Sequence, residues 1–156
     1  MSRASRKSDI LVRWGGEEFL IVARSTLREH GHYVAERVRG AVRDHVFDLG
    51  HGNTLRTTCS IGYATFPFLL DDATAVSWQE VIRIADRCLY AAKHGGRDRS
   101  IGVTGSPTLP AAGLVARIAE HFDGMLALGE LPVTVFSGEQ RGAEPQMPRN
   151  TSRPPT

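Results

Sequence analysis

Two adjacent carboxylates, Glu17 and Glu18, follow directly on two glycines, Gly15 and Gly16. Like charges side by side gain nothing from each other, and successive strand residues face opposite ways, so the pair invites a chemical role. A carboxylate at an exposed turn, beside glycines that let a ligand approach the backbone, suits Mg²⁺, a hard cation that takes one or two carboxylates together with substrate phosphates. Taken alone, the tetrapeptide reads as a solvated acidic hairpin tip. The other metal-binding residue types do not converge. His30 and His32 are two apart on an expected helix and face different directions, and Cys59 and Cys88 match no zinc or redox spacing.

The segments around this turn read as a helix-and-sheet fold. Asp9 to Trp14 and Glu17 to Val22 are two strand-like runs joined by Gly15-Gly16, a hairpin signal because tight primed turns need the positive φ that glycine reaches freely. Leu27 to Val46 carries Leu27, Val34, Val38 and Val42 on one helical stripe, with Arg28, Arg39 and Arg43 elsewhere around it. Phe47 to Leu49, a turn at Gly50 to Asn53, and the alternating run Leu55 to Phe66 predict a second hairpin with one long arm. Ser77-Trp78-Gln79-Glu80 is a capping-box pattern opening a helix to about His94, with Val81, Ala85, Cys88, Leu89 and Ala92 as its buried stripe and Gly95-Gly96 as its stop. Arg99 to Val103 reads as a closing strand. The fold class is therefore α+β, an antiparallel-rich sheet flanked by helices.

Composition sets outer bounds. The 156 residues are 41% hydrophobic and 23% charged with a net charge of +2, which excludes collagen, coiled coil and wholesale disorder and argues against a dedicated nucleic-acid binder. No stretch reaches the roughly 18 to 20 apolar residues of a membrane span, no signal peptide is read at the start, and two cysteines suit a reducing, cytoplasmic setting. Beyond residue 104 the character changes. Leu114, Ile118, Phe122 and Met125 fall at helical spacing within Ala111 to Leu128, expected as a packing helix or an unattached tail, and 137–156 is polar, rich in Pro and Gly and expected to be disordered.

Arg6-x-x-Asp9, then Gly15-Gly16-Glu17-Glu18-Phe19, then Ser60-Ile61-Gly62, then Ala85-Asp86-x-x-Leu89-Tyr90-x-Ala92-Lys93-x-x-Gly96-Arg97 resembles, in order and separation, the GGDEF family of diguanylate cyclases in its GGEEF variant. The resemblance implies the nucleotidyl cyclase/GGDEF fold and a reaction joining two GTP molecules into cyclic di-GMP with release of two pyrophosphates. It further implies a homodimer holding one GTP in each half-site, two Mg²⁺ per active site (Mn²⁺ as a substitute) and a sensory domain upstream. By position, Glu17 corresponds to the metal-ligating, proton-accepting carboxylate and Glu18 to its supporting neighbour. Gly15 and Gly16 would leave room for GTP, and Lys93 and Arg97 correspond to the pair that grips the triphosphate. The residues agree with that last role: cations four apart at a helix end share one side, lysine as a point charge and arginine as a forked phosphate donor, although a charge at a helix C-terminus is also worth ~0.3–1 kcal/mol structurally. Arg6, Asp9 and Arg37 correspond to the family's inhibitory site for the product cyclic di-GMP. Guanidinium there binds phosphate and the guanine Hoogsteen edge and carboxylate accepts from guanine, the alternative being a weak surface ion pair.

The resemblance also implies departures. It enters the family pattern past a first strand bearing a metal-binding aspartate and past early helices that read guanine, so 1–103 is expected to be the C-terminal portion of a GGDEF domain, with roughly two-fifths of an ordinary domain absent from these residues. The segment 104–136 stays unassigned. A sheet without a central strand leaves ladder groups unpaired, so the chain alone is expected to be poorly stable and to lack GTP turnover. A cyclic di-GMP binding module using Arg6-x-x-Asp9 and a non-functional gene fragment remain the alternatives. Asp98 stands where the family usually has asparagine, and so close to a triphosphate it would oppose binding unless it faces away.

Overall fold

The computed structural model describes residues 6–105 and 113–137. Ile10–Gly15 (β1) and Glu18–Val22 (β2) form the expected antiparallel hairpin, with Ile10 opposite Val22 and Gly15 opposite Glu18. The tight turn is therefore Gly16-Glu17, one residue beyond the expected Gly15-Gly16 link, because the register shifts between Arg13 and Gly15. Gly16 takes the positive φ of +49° that the first position of such a turn requires, and the slip leaves Glu17 at the tip.

A short 3₁₀ turn, Arg28–His30, leads into the helix Gly31–Asp44 (α1). The expected stripe is displaced: Leu27 is exposed, whereas Ala35, Val38 and Arg39 are buried. The Arg28 guanidinium anchors this entry by donating to the carbonyls of Pro67, of Phe68 at 2.9 Å and of Gly105 at 3.2 Å. The second hairpin is shorter than its sequence suggested. Phe47–Gly50 (β3) pairs with Asn53–Leu55 (β4), residues 56–60 join no strand, and Ile61–Ala64 (β5) belongs to a different sheet.

That sheet has the order β5, Arg99–Val103 (β6), Val133–Ser137 (β7), with β5 and β6 parallel and β6 and β7 antiparallel. The helix Trp78–His94 (α2) is the crossover between the parallel pair, and it opens on the expected box: Glu80 N–H donates to Ser77 Oγ at 3.4 Å and Ser77 N–H to Glu80 Oε2 at 2.8 Å. A β-carbon at Gly62 would overlap the Ala85 carbonyl and the Leu89 amide, so α2 lies directly on β5 at a point that accepts no side chain. Alternation then turns Tyr63 to the other face, where its ring approaches Gly31 at the start of α1. The sheet is thus covered on both sides, by α1 on one and α2 on the other.

The helix Leu114–Ala127 (α3) buries Leu114, Ile118, Phe122 and Met125, the four residues its periodicity singled out, and packs on α2 as a packing helix. Together with Ile84, Cys88, Ile101, Val103 and Phe68 they form one apolar core. β7, which sequence periodicity did not reveal, completes the sheet beside β6. The expected disordered tail lies outside the described residues except for Ser137, the last residue of β7.

Among the described residues β1 and β2 pair with each other alone, and β5 has a neighbour, β6, along one side. Every residue of β1 is exposed, including Ile10, Leu11, Val12 and Trp14. No helix among the described residues is long and apolar enough to cross a membrane.

Candidate functional site

The hairpin turn is held by its own strand. Arg13 donates to the Gly16 carbonyl from Nε at 3.1 Å and from a terminal guanidinium nitrogen at 2.8 Å, which fixes the turn and leaves the Glu17 carboxylate to solvent. Glu18, the first residue of β2, points the other way. Its Oε1 accepts from Lys93 Nζ at 2.6 Å, across from the last turn of α2. This contact joins the acidic turn to the cationic helix end, two motifs seventy-five residues apart in sequence. Both partners are more than a third exposed, at 36% and 40%, so the pair is worth about 0–1 kcal/mol and a phosphate oxygen can replace the Glu18 carboxylate on Lys93 at little cost.

Arg97 does not share that side of the helix. α2 ends at His94, and Gly96, Arg97 and Asp98 follow with φ of +117°, +60° and +41°, so the four-residue spacing no longer means one helical face. Arg97 instead lines an open groove of about 660 Å³ with Arg43, Arg56 and Arg99 and the acidic Asp44 and Asp98. Lys93 faces the acidic turn, and Arg97 opens onto this arginine-rich groove of mixed charge.

Arg6 and Asp9 are brought together through the backbone. The Arg6 amide donates to Asp9 Oδ2 at 2.8 Å and the Asp9 amide to the Arg6 carbonyl at 3.0 Å, closing a turn just before β1. The remaining oxygen, Asp9 Oδ1, is buried with no hydrogen-bond partner among the described residues. Arg6 is exposed, and Arg37 stands exposed on α1.

A buried polar assembly around Arg39 was not legible in the sequence. Arg39, 4% exposed, donates to Glu36 at 2.7–3.2 Å and to both the carboxylate and the carbonyl of Asp98, at 2.7 and 3.1 Å, while Ser100 Oγ donates to Glu36 Oε1 at 2.6 Å. Reading Arg39 as a residue off the apolar face was wrong: Ala35, Val38, Arg39 and Val42 fall at i, i+3, i+4 and i+7, and that spacing was the available signal. Asp98 gives one carboxylate oxygen to Arg39 and also lines the groove beside Arg97. Hydrogen bonds donated to Glu36, against the cost of burial and with Asp98 assisting, raise the Arg39 pKa further above its already high value. Burial opposes the charge on Glu36, but hydrogen bonds from Arg39 and Ser100 and the charges of Arg39 and Arg43 outweigh it and hold the carboxyl below its usual value. Burial next to this assembly pushes the Cys59 thiol up to about 11.

As a metal site the turn offers two hard carboxylates, one free and one lent to Lys93; no group of three His, Cys, Asp or Glu among the described residues could hold an ion unaided. That donor set fits a cation that draws its other ligands from substrate phosphates.

Residues 1–99 match the family described as "Diguanylate cyclase, GGDEF domain". Among curated proteins the chain is similar to diguanylate cyclase A of Treponema denticola, 33% identical over 95 residues, which is 61% of this chain and 24% of that protein. It is similar also to diguanylate cyclase DgcP of Pseudomonas aeruginosa, 36% identical over 94 residues, 60% of this chain and 13% of that protein. Diguanylate cyclase DosC of Escherichia coli is 35% identical over 94 residues, 60% of this chain and 19% of that protein. The chain thus spans about a quarter or less of the length of these relatives. With the Gly-Gly-Glu-Glu-Phe turn, the capped helix and the α+β arrangement in place, the chain belongs to the GGDEF-domain family of diguanylate cyclases.

Proposed function

We propose that the chain carries the metal-and-phosphate part of a diguanylate cyclase site, in which two GTP molecules become cyclic di-GMP and two pyrophosphates. The observation that carries the reading is the 2.6 Å contact between Glu18 and Lys93, which sets a carboxylate turn suited to a divalent cation against a lysine suited to a polyphosphate. Glu17 would hold the cation, Mg²⁺ or Mn²⁺, with Glu18, once released from Lys93, as its supporting neighbour; when bound, the cation favours ionisation of the ribose 3′ hydroxyl and neutralises charge on the departing pyrophosphate. Glu17, at the tip, accepts the hydroxyl proton. Lys93 exchanges Glu18 for a phosphate oxygen, and Arg97 holds a further phosphate with its fork of donors. Gly15 and Gly16 leave the approach to the turn free of side chains; a β-carbon at either would meet nothing within 4 Å. A second copy, holding its own GTP, supplies the other half of the product.

GTP binding reads the turn and the helix end directly. Calorimetric titration with GTP in excess Mg²⁺ tests the reading: saturable binding that weakens about tenfold in Lys93→Ala supports it, and equal affinity in the variant overturns it.

One observation favours a second role alongside the first. Asp9 Oδ1, buried and without a partner among the described residues, is an acceptor beside the exposed Arg6, the pairing of groups that guanine and phosphate call for. We propose that Arg6, Asp9 and Arg37 bind cyclic di-GMP. Titration with cyclic di-GMP is expected to give saturable binding that Arg6→Ala and Asp9→Ala each abolish, and no saturation would end the proposal.

A further inference from the structure

Arg97 and Asp98 both adopt left-handed backbone, with φ of +60° and +41°, immediately after Gly96 at +117°. For residues with a β-carbon this conformation costs about 1–2 kcal/mol each, less for aspartate, so the surroundings must hold it. Arg39 of α1 does so from within the core, with one guanidinium nitrogen on both the Asp98 carboxylate and the Asp98 carbonyl. Arg39 is itself fixed by Glu36, and Glu36 by Ser100 of β6. Two weaker ties close the turn from outside: the Arg97 amide donates to the Ala92 carbonyl at 3.1 Å, and Arg99 Nε to the Arg97 carbonyl at 3.2 Å. Arg97 is left exposed over the groove shared with Arg43 and Arg56.

We propose that Asp98, clamped by Arg39, is a positioning residue that sets the Arg97 guanidinium for a phosphate group. The proposal rests on reading Arg97 as a phosphate ligand. It makes a prediction of unusual sign. Asp98 is an anion next to an anion-binding residue, so simple electrostatics says that removing its charge tightens phosphate binding. A clamp says the reverse: without the Asp98 carboxylate the strained turn loosens, Arg97 samples more orientations, and binding weakens. Asparagine separates charge from clamp, since it tolerates left-handed backbone and keeps a carbonyl oxygen for Arg39.

The experiment titrates the full chain with inorganic pyrophosphate by calorimetry, for wild type, Asp98→Ala, Asp98→Asn, Arg97→Ala and Arg97→Ala/Asp98→Ala. Asp98→Ala leaves the Arg39–Glu36 pair and the apolar core untouched, and circular dichroism verifies that each variant folds. The clamp predicts that Asp98→Ala weakens binding about fivefold, that Asp98→Asn stays near wild type, and that Asp98→Ala has no further effect once Arg97 is alanine. Tighter binding in Asp98→Ala, or an equal loss with and without Arg97, overturns the positioning role while the phosphate reading stands. Unchanged affinity in Arg97→Ala, or no saturable binding at all, overturns the phosphate reading and the positioning role with it.

Discussion

Replacing Arg39 by methionine keeps the length and apolar stem of the side chain and deletes the charge that two carboxylates depend on. Arg39 is 4% exposed and makes its bonds to Glu36 and to Asp98 at distances down to 2.7 Å, so the variant leaves two carboxylates facing an apolar thioether. Breaking a fully buried pair costs about 3–5 kcal/mol, but the Glu36 and Asp98 side chains keep 26% and 31% of their exposure and water can partly replace the guanidinium. We therefore expect a loss of about 2–3 kcal/mol at pH 7, a large part of a typical stability of about 5–15 kcal/mol. Urea unfolding followed by circular dichroism reads it as a lower midpoint at unchanged slope. The pH dependence supplies an independent sign. In the wild type Glu36 has a lowered pKa, so its contribution is complete above the ordinary value of 4.5 and is lost as pH falls through the folded pKa. In Arg39→Met burial is offset by Ser100 and Arg43 alone, the Glu36 pKa rises from its lowered value, and less stability is lost on acidification through that range. A loss below about 0.5 kcal/mol, or the same acid dependence in both proteins, would refute the buried network as drawn.

Three further outcomes follow from the packing. Gly62→Ala drives a methyl into the Ala85 carbonyl and Leu89 amide, backbone that cannot swing aside; a loss of about 3 kcal/mol or failure to fold is expected in a thermal melt, and a neutral substitution would mean that α2 does not lie on β5 as described. Ser77→Ala removes the cap of α2 and is expected to cost about 1 kcal/mol by urea titration, with no change contradicting the capping box. Burial pushes Cys59 up to about 11 and Cys88 to about 12, so at pH 8 both thiols are expected to react with an aromatic disulfide reagent far more slowly than after unfolding; rapid modification of the folded chain would contradict their placement.

The elements legible in the sequence were those whose signals are local. The capping box of α2, its glycine stop, the glycine-linked first hairpin and the apolar spacing of α3 each state their structure within a few residues. What escaped was set by partners distant in the chain. The run from Leu55 to Phe66 alternates as one strand, but Gly62 must meet α2 while Phe47 to Leu55 forms its own hairpin, so the run divides between two sheets. Arg39 was assigned by its charge and is buried because Asp98 and Glu36 receive it, contacts spanning fifty-nine and three residues. Likewise, Lys93 and Arg97 were read as one helical pair, and the left-handed turn at Gly96 to Asp98 parts them. The motif residues themselves were visible from type and spacing. Their arrangement, above all Glu18 on Lys93, needed the fold.

The central claim is that the acidic turn and the end of α2 form one site for a metal-bound polyphosphate. The direct measurement is GTP affinity for the full chain with and without Mg²⁺, in the wild type and in Glu17→Gln. The account predicts that Mg²⁺ strengthens wild-type binding about tenfold or more and that Glu17→Gln loses this gain while keeping the weaker, metal-free affinity. An equal gain from Mg²⁺ in both proteins would contradict it.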